Sequence, residues 1–207
     1  MEAYLNSISP ERRKKVLAFK SMTAKALSVG AEVLLQHAVL KSFGISEPLT
    51  IIKGAHGKPA LRDHAKIHFN LSHSGNFVVC ALSSQPVGVD IEQIDRVGVQ
   101  LVKRFFHQEE VAWILTQPVA NQQQGRCDLW SIKESYMKYT GKGFALPMKA
   151  FVVKITGEFP ENLAAAVFEE GQQKDVFIKK YQGPANYELW CSGGSNQFED
   201  AIEWVRL

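Results

Sequence analysis

Long apolar runs are missing from this chain of 207 residues, whose uninterrupted apolar stretches end at segments such as Phe77 to Leu82. A spanning helix needs about 20 such residues, so no membrane span is expected. The opening MEAYLNSISPERRKK places its basic residues after a weak apolar stretch, the reverse of a secretory signal. Cysteine is scarce. Cys80, Cys127 and Cys191 are odd in number and widely spaced, and no C-x-x-C occurs, which disfavours both a disulfide framework and a zinc site. A reducing cytoplasm fits best. Charge of one sign is also lacking: the net charge of +3 is low for a nucleic-acid-binding domain, and no RNP, KH or zinc-finger pattern supports one. G-x-x-x-x-G-K-[ST] is absent too, which argues against P-loop hydrolysis of ATP or GTP.

What is present is an ordinary globular composition, 45% hydrophobic and 22% charged, enough for one large domain or two small ones sharing an interface. Ser9-Pro10-Glu11 supplies an N-cap hydroxyl, a proline at the first helical position and an acid in the first turn, so a helix should run to about Phe19. A longer helix is expected over Thr23 to Phe43, closed by Gly44. The period then changes, and Leu49 to Lys53, Ile67 to Leu71, Phe77 to Leu82 and Pro86 to Glu92 read as strands. Helices return at Val99 to Phe106 and Gln108 to Thr116, a polar loop is expected around Gln122 to Gln124, and a helix over Cys127 to Tyr139 follows. Strands recur at Phe151 to Ile155, Ala165 to Glu169, Val176 to Tyr181, Tyr187 to Cys191 and Ala201 to Val205. Helices then strands, twice over, predict an α+β chain of two similar halves meeting near Gly88 to Gln93.

Four stretches carry polar groups that chemistry could use. In GVDIE, Asp90 and Glu92 stand two apart on a strand, so both carboxylates point to one face. They are either solvated acids at a strand end or oxygen ligands for a cation such as Mg²⁺. FNLSHSG offers Asn70, Ser72, His73 and Ser74, able to bond phosphate or ribose oxygens, although His73 alone could equally be structural. GAHGKP sets Lys58 in a turn between glycine and Pro59. WSIKESYMKYTGKG places Glu134 and Lys138 four apart on one helix face, the spacing of an ordinary surface ion pair. The basic run Arg12 to Lys15 is a solvated helix face or a site for phosphates or an acidic partner.

In this order and at these intervals, GKP, FNLSHSG, GVDIE and W-x-x-K-E-x-x-x-K resemble the Sfp-type 4′-phosphopantetheinyl transferases, from about Ser9 through Phe151. The resemblance implies a pseudo-dimer of two α+β halves, residues 1–89 contacting coenzyme A and residues 90–207 holding the metal site and catalytic helix. It implies transfer of the phosphopantetheine arm of coenzyme A to a serine of an apo acyl or peptidyl carrier protein, with release of adenosine 3′,5′-bisphosphate. Asp90, Glu92 and Glu134 would ligate Mg²⁺, Glu134 would be the base, and Lys138 would bind the pyrophosphate. Arg12, Lys15, Ser28, Lys58, Pro59, Ser72 and His73 would contact coenzyme A. A cytoplasmic monomer, binding neither nucleic acid nor membrane, is expected. Trp130 is equally well explained by core packing, and Lys133 has no evident role.

Overall fold

A computed structural model describes residues 2–160 and 162–206. The first half runs α1 (Glu2–Leu5), α2 (Pro10–Ala18), α3 (Met22–Phe43), then β1 (Ile51–Lys53), β2 (Pro59–Leu61), β3 (His68–Ser74), β4 (Phe77–Ser83) and β5 (Val87–Gln93). The second runs α4 (Val99–Phe105), α5 (Gln108–Thr116), α6 (Gln122–Thr140), then β6 (Phe151–Glu158), β7 (Asn162–Glu169), β8 (Gln172–Gln173), β9 (Phe177–Tyr181) and β10 (Tyr187–Gly193). Helices precede strands in both halves, as the α+β reading expects. Each half also has one long helix stopped by a left-handed glycine, Gly44 at φ 68° after α3 and Gly141 at φ 69° after α6. Glycine reaches that conformation without a Cβ penalty. The start of α2 forms as expected, with the Ser9 side chain accepting from the Arg12 backbone N–H.

The halves are joined by β-ladder. β5, from the first half, pairs antiparallel with β10, the last strand of the second, setting Asp90 opposite Trp190 and Glu92 opposite Glu188. β9 covers the other edge of β10. β3 pairs with β4, and β6 with β7. One face of the β5–β10 ribbon carries Val87, Val89, Ile91, Leu189 and Cys191 into an apolar cluster with β4 residues. The other face lies under α6. A second core forms beneath α6 from Leu129, Ile132, Tyr136, Phe151, Val167 and Trp190, and a third under α3 from Leu35, Val39, Leu61 and Phe69.

Two expectations are corrected. Gln122 to Gln124 are not a loop but the first turn of α6. Their polarity is spent on tertiary bonds: Gln123 donates to the carbonyls of Ile94 and Val97, and Gln124 to Glu188 at 2.9 Å. Residues Ala201 to Val205 form no strand. They belong to a C-terminal tail tied to α3, where Glu203 meets Lys41 at 2.7 Å.

Candidate active site

The site is built where α6 touches β5. A Cβ added to Gly88 would lie 2.1 Å from the carbonyl oxygen of Ser135 and 2.3 Å from the backbone nitrogen of Tyr139. Glycine here lets helix backbone rest directly on strand backbone. Two residues on, Asp90 points to the same face and is 3% exposed. Its Oδ1 accepts from Lys138 Nζ at 2.6 Å and from Ser72 Oγ at 2.8 Å, while Oδ2 is buried without a well-formed hydrogen bond among the described residues, the Ser131 hydroxyl lying beside the carboxylate. Lys138 Nζ also donates to Ser72 Oγ at 2.9 Å and to the Val89 carbonyl at 3.3 Å.

β3 is stitched to β5 by three side chains at alternate positions. Asn70 accepts from the Val89 N–H at 2.8 Å, Ser72 donates to Asp90, and Ser74 donates to Glu92 at 2.9 Å. Period-2 alternation sends His73 to the opposite face, where it is exposed and apart from Ser72. The signal for this stitching lay in the N-x-S-x-S spacing of FNLSHSG.

Glu134 lies one turn before Lys138 on α6 and is half-buried. Burial, then the charge of Asp90, raises its pKa, and Glu92 adds to the rise while Lys138 opposes it. Burial likewise raises Asp90, against the pull of Lys138, and raises Glu92. The three carboxylates thus feel one another. Among the described residues, however, no three acidic, imidazole or thiol side chains are gathered closely enough to share an ion. Asp90 is bonded instead to Lys138.

Lys58 sits at the far end of α6. Its Nζ donates to the carbonyls of Val87 at 2.8 Å and Tyr139 at 3.2 Å, and burial lowers its pKa to about 8. Pro59 beside it is exposed at the start of β2. Arg12 belongs to a separate network: its Nε meets Glu32 at 3.1 Å and its Nη1 meets Ser28 at 3.3 Å. No hydrogen bond among the described residues links that network to the acidic cluster. Lys15 is exposed, with its ammonium 5.8 Å from the Phe19 ring centre.

Lys133 acquires a role that the sequence did not suggest. It is fully buried, 2.6 Å from Glu110 and 3.0 Å from the Phe151 carbonyl. Glu110 also accepts from the backbone of Val153 and of His107, each at 2.8 Å. The pair fastens α6, one residue from Glu134, to α5 and β6. Trp130 packs edge-on against Phe105, with ring centres 5.8 Å apart.

Two family models divide the chain: the 4′-phosphopantetheinyl transferase superfamily matches residues 86–187, and the 4′-phosphopantetheinyl transferase N-terminal model matches residues 1–85. Among curated proteins, 4′-phosphopantetheinyl transferase Sfp of Bacillus subtilis (strain 168) is 29% identical over 99% of this chain and 90% of its own. A second 4′-phosphopantetheinyl transferase of Bacillus subtilis is 31% identical over 95% of this chain and 87% of its own. The gsp transferase of Aneurinibacillus migulanus is 33% identical over 90% of this chain and 76% of its own. With the W-x-x-K-E-x-x-x-K helix seated on the GVDIE strand, this chain belongs to the Sfp-type 4′-phosphopantetheinyl transferase family.

Proposed function

We propose that this enzyme moves the 4′-phosphopantetheine arm of coenzyme A onto a serine of an apo acyl or peptidyl carrier protein, with Mg²⁺. The serine Oγ forms a bond to the β-phosphorus. The bond from that phosphorus to the bridging oxygen breaks, and adenosine 3′,5′-bisphosphate leaves. The observation that carries this reading is the seat of α6 on β5, which brings Glu134 within the charge field of Asp90 and Glu92 and bonds Lys138 and Ser72 to Asp90.

The donors suit Mg²⁺. They are all carboxylate oxygens, one of them the buried Oδ2 of Asp90, which lacks a well-formed hydrogen bond, and Mg²⁺ takes one or two carboxylates with water and phosphate oxygens. Asp90, Glu92 and Glu134 would hold it, and it would neutralise charge on the diphosphate. Glu134 takes the serine proton, directly or through a water held beside it. Lys138 binds the pyrophosphate and steadies the leaving group. Lys58, Pro59, Ser72 and His73 contact coenzyme A, as do Arg12, Lys15 and Ser28, with residues 1–89 serving mainly this end and residues 90–207 the chemistry. The enzyme acts as a cytoplasmic monomer on its carrier, without nucleic acid or membrane.

Mass spectrometry of apo-carrier proteins incubated with enzyme, coenzyme A and Mg²⁺ tests this directly. A phosphopantetheine mass gain is expected, lost in EDTA and reduced about 10²-fold or more in Glu134→Gln. No gain on any acyl or peptidyl carrier would overturn the activity. Undiminished transfer in EDTA would remove the metal.

A further inference from the structure

Resting on that reading, we propose that Lys138 is a built-in counter-cation that competes with the divalent metal for Asp90 and so couples metal binding to coenzyme A binding. An ammonium has three N–H donors. Those of Lys138 are engaged by Asp90 at 2.6 Å, Ser72 at 2.9 Å and the Val89 carbonyl at 3.3 Å. The same group cannot keep all three bonds and also hold a pyrophosphate. It must leave Asp90 to do so.

The reason it sits there is electrostatic. Asp90 is nearly fully buried and has Glu92 and Glu134 as like-charged neighbours. A carboxylate out of water needs a positive partner. Lys138 provides one, from a side chain 25% exposed and therefore able to swing toward a ligand. It satisfies Oδ1 and leaves Oδ2 without a well-formed hydrogen bond. The lysine thus hydrogen-bonds one oxygen of the carboxylate and leaves the other open to a second cation.

A metal arriving in the free protein meets that ammonium 2.6 Å from Asp90 Oδ1 and binds against its charge. When coenzyme A draws Lys138 onto its pyrophosphate, Asp90 loses its only cationic partner among the described residues, and its affinity for a divalent cation rises. Linkage makes the effect reciprocal: the metal on Asp90 frees Lys138 for the phosphates. Removing the lysine should therefore tighten metal binding to the free protein, although the lysine belongs to the site.

The test uses Mn²⁺ binding to the intact protein, followed by electron paramagnetic resonance, without and with coenzyme A. In the free protein, Lys138→Met should bind Mn²⁺ about tenfold more tightly than the parent chain, and the enhancement of Mn²⁺ binding by coenzyme A should shrink correspondingly. Lys138→Gln, less apolar, repeats the measurement should the methionine variant not fold. Lys142→Met, which removes an exposed charge one turn further on, should change the affinity less than about twofold. Equal or weaker Mn²⁺ binding by both Lys138 variants overturns the inference alone, as does an equal gain in Lys142→Met. No Mn²⁺ binding to any of these proteins, with or without coenzyme A, overturns the metal reading and the inference with it.

Discussion

Lys133 shows how a charged residue can be wholly structural in a motif otherwise read as chemistry. Both it and Glu110 are 0% exposed, and Glu110 accepts three hydrogen bonds, from Lys133, Val153 and His107. Removing one partner of such a pair strands a buried charge, which costs about 3–5 kcal/mol, whereas replacing both is far milder. Lys133→Met should therefore lower stability by about that amount in urea unfolding, at an unchanged m-value. Lys133→Met combined with Glu110→Gln should recover part of the loss. A single variant within about 1 kcal/mol of the parent would mean that the pair does not hold α6 in place. From sequence, the family resemblance gave Glu134 a part in the chemistry and left Lys133 without a role. Helical geometry separates them by about 100°, and only the tertiary fold shows that Lys133 is in the core and Glu134 half-buried near Asp90.

At the scale of elements, the decisive contact is α6 on β5. Gly88→Ala would drive a methyl into the backbone of Ser135 and Tyr139, at 2.1 and 2.3 Å. Backbone cannot rotate aside as a side-chain tip can, so the helix must move, carrying Glu134 and Lys138 with it. A misplacement near 1 Å costs roughly 10²-fold in rate. Gly88→Ala should accordingly lose about that much kcat while circular dichroism still reports a folded chain. Full activity would show that this approach does not set the site. Much of this was legible: the start of α2, the end of α3, the strands β4 and β5, and the placing of Asp90 and Glu92 on one face follow from caps and alternation. The start of α6 was not, because Gln123 and Gln124 look like loop residues until their tertiary acceptors are known. The independence of Arg12 from the acidic cluster was equally hidden, since its partner Glu32 is buried on another helix.

For the molecule as a whole, the proposed carrier must reach the acidic cluster at the α6–β5 contact. We propose KRFFHQEE, which joins α4 to α5, as the carrier's docking segment. Phe106 is 3% exposed and Phe105 packs on Trp130, so its aromatics serve the core; Lys103 and Arg104 are exposed in the last turn of α4. Carriers with an acidic helix beside the modified serine would meet these two charges. Reversing both, Lys103→Glu with Arg104→Glu, should raise the carrier KM by about tenfold or more and leave coenzyme A affinity in calorimetry unchanged. An unmoved carrier KM, or an equal loss of coenzyme A affinity, would place docking elsewhere.

The ladder that joins the halves also sets an order of events. β5 pairs with β10 and, among the described residues, with no other strand, so Gln93 waits for Tyr187 and Val87 for Gly193. Domains usually fold as they leave the ribosome, first-made first, and contacts distant in sequence form slowly. Here the strand bearing Asp90 and Glu92 gains its ladder only when the last strand has been synthesised. A chain ending before Tyr187 would carry every proposed site residue in its sequence and lack the ladder that borders their strand.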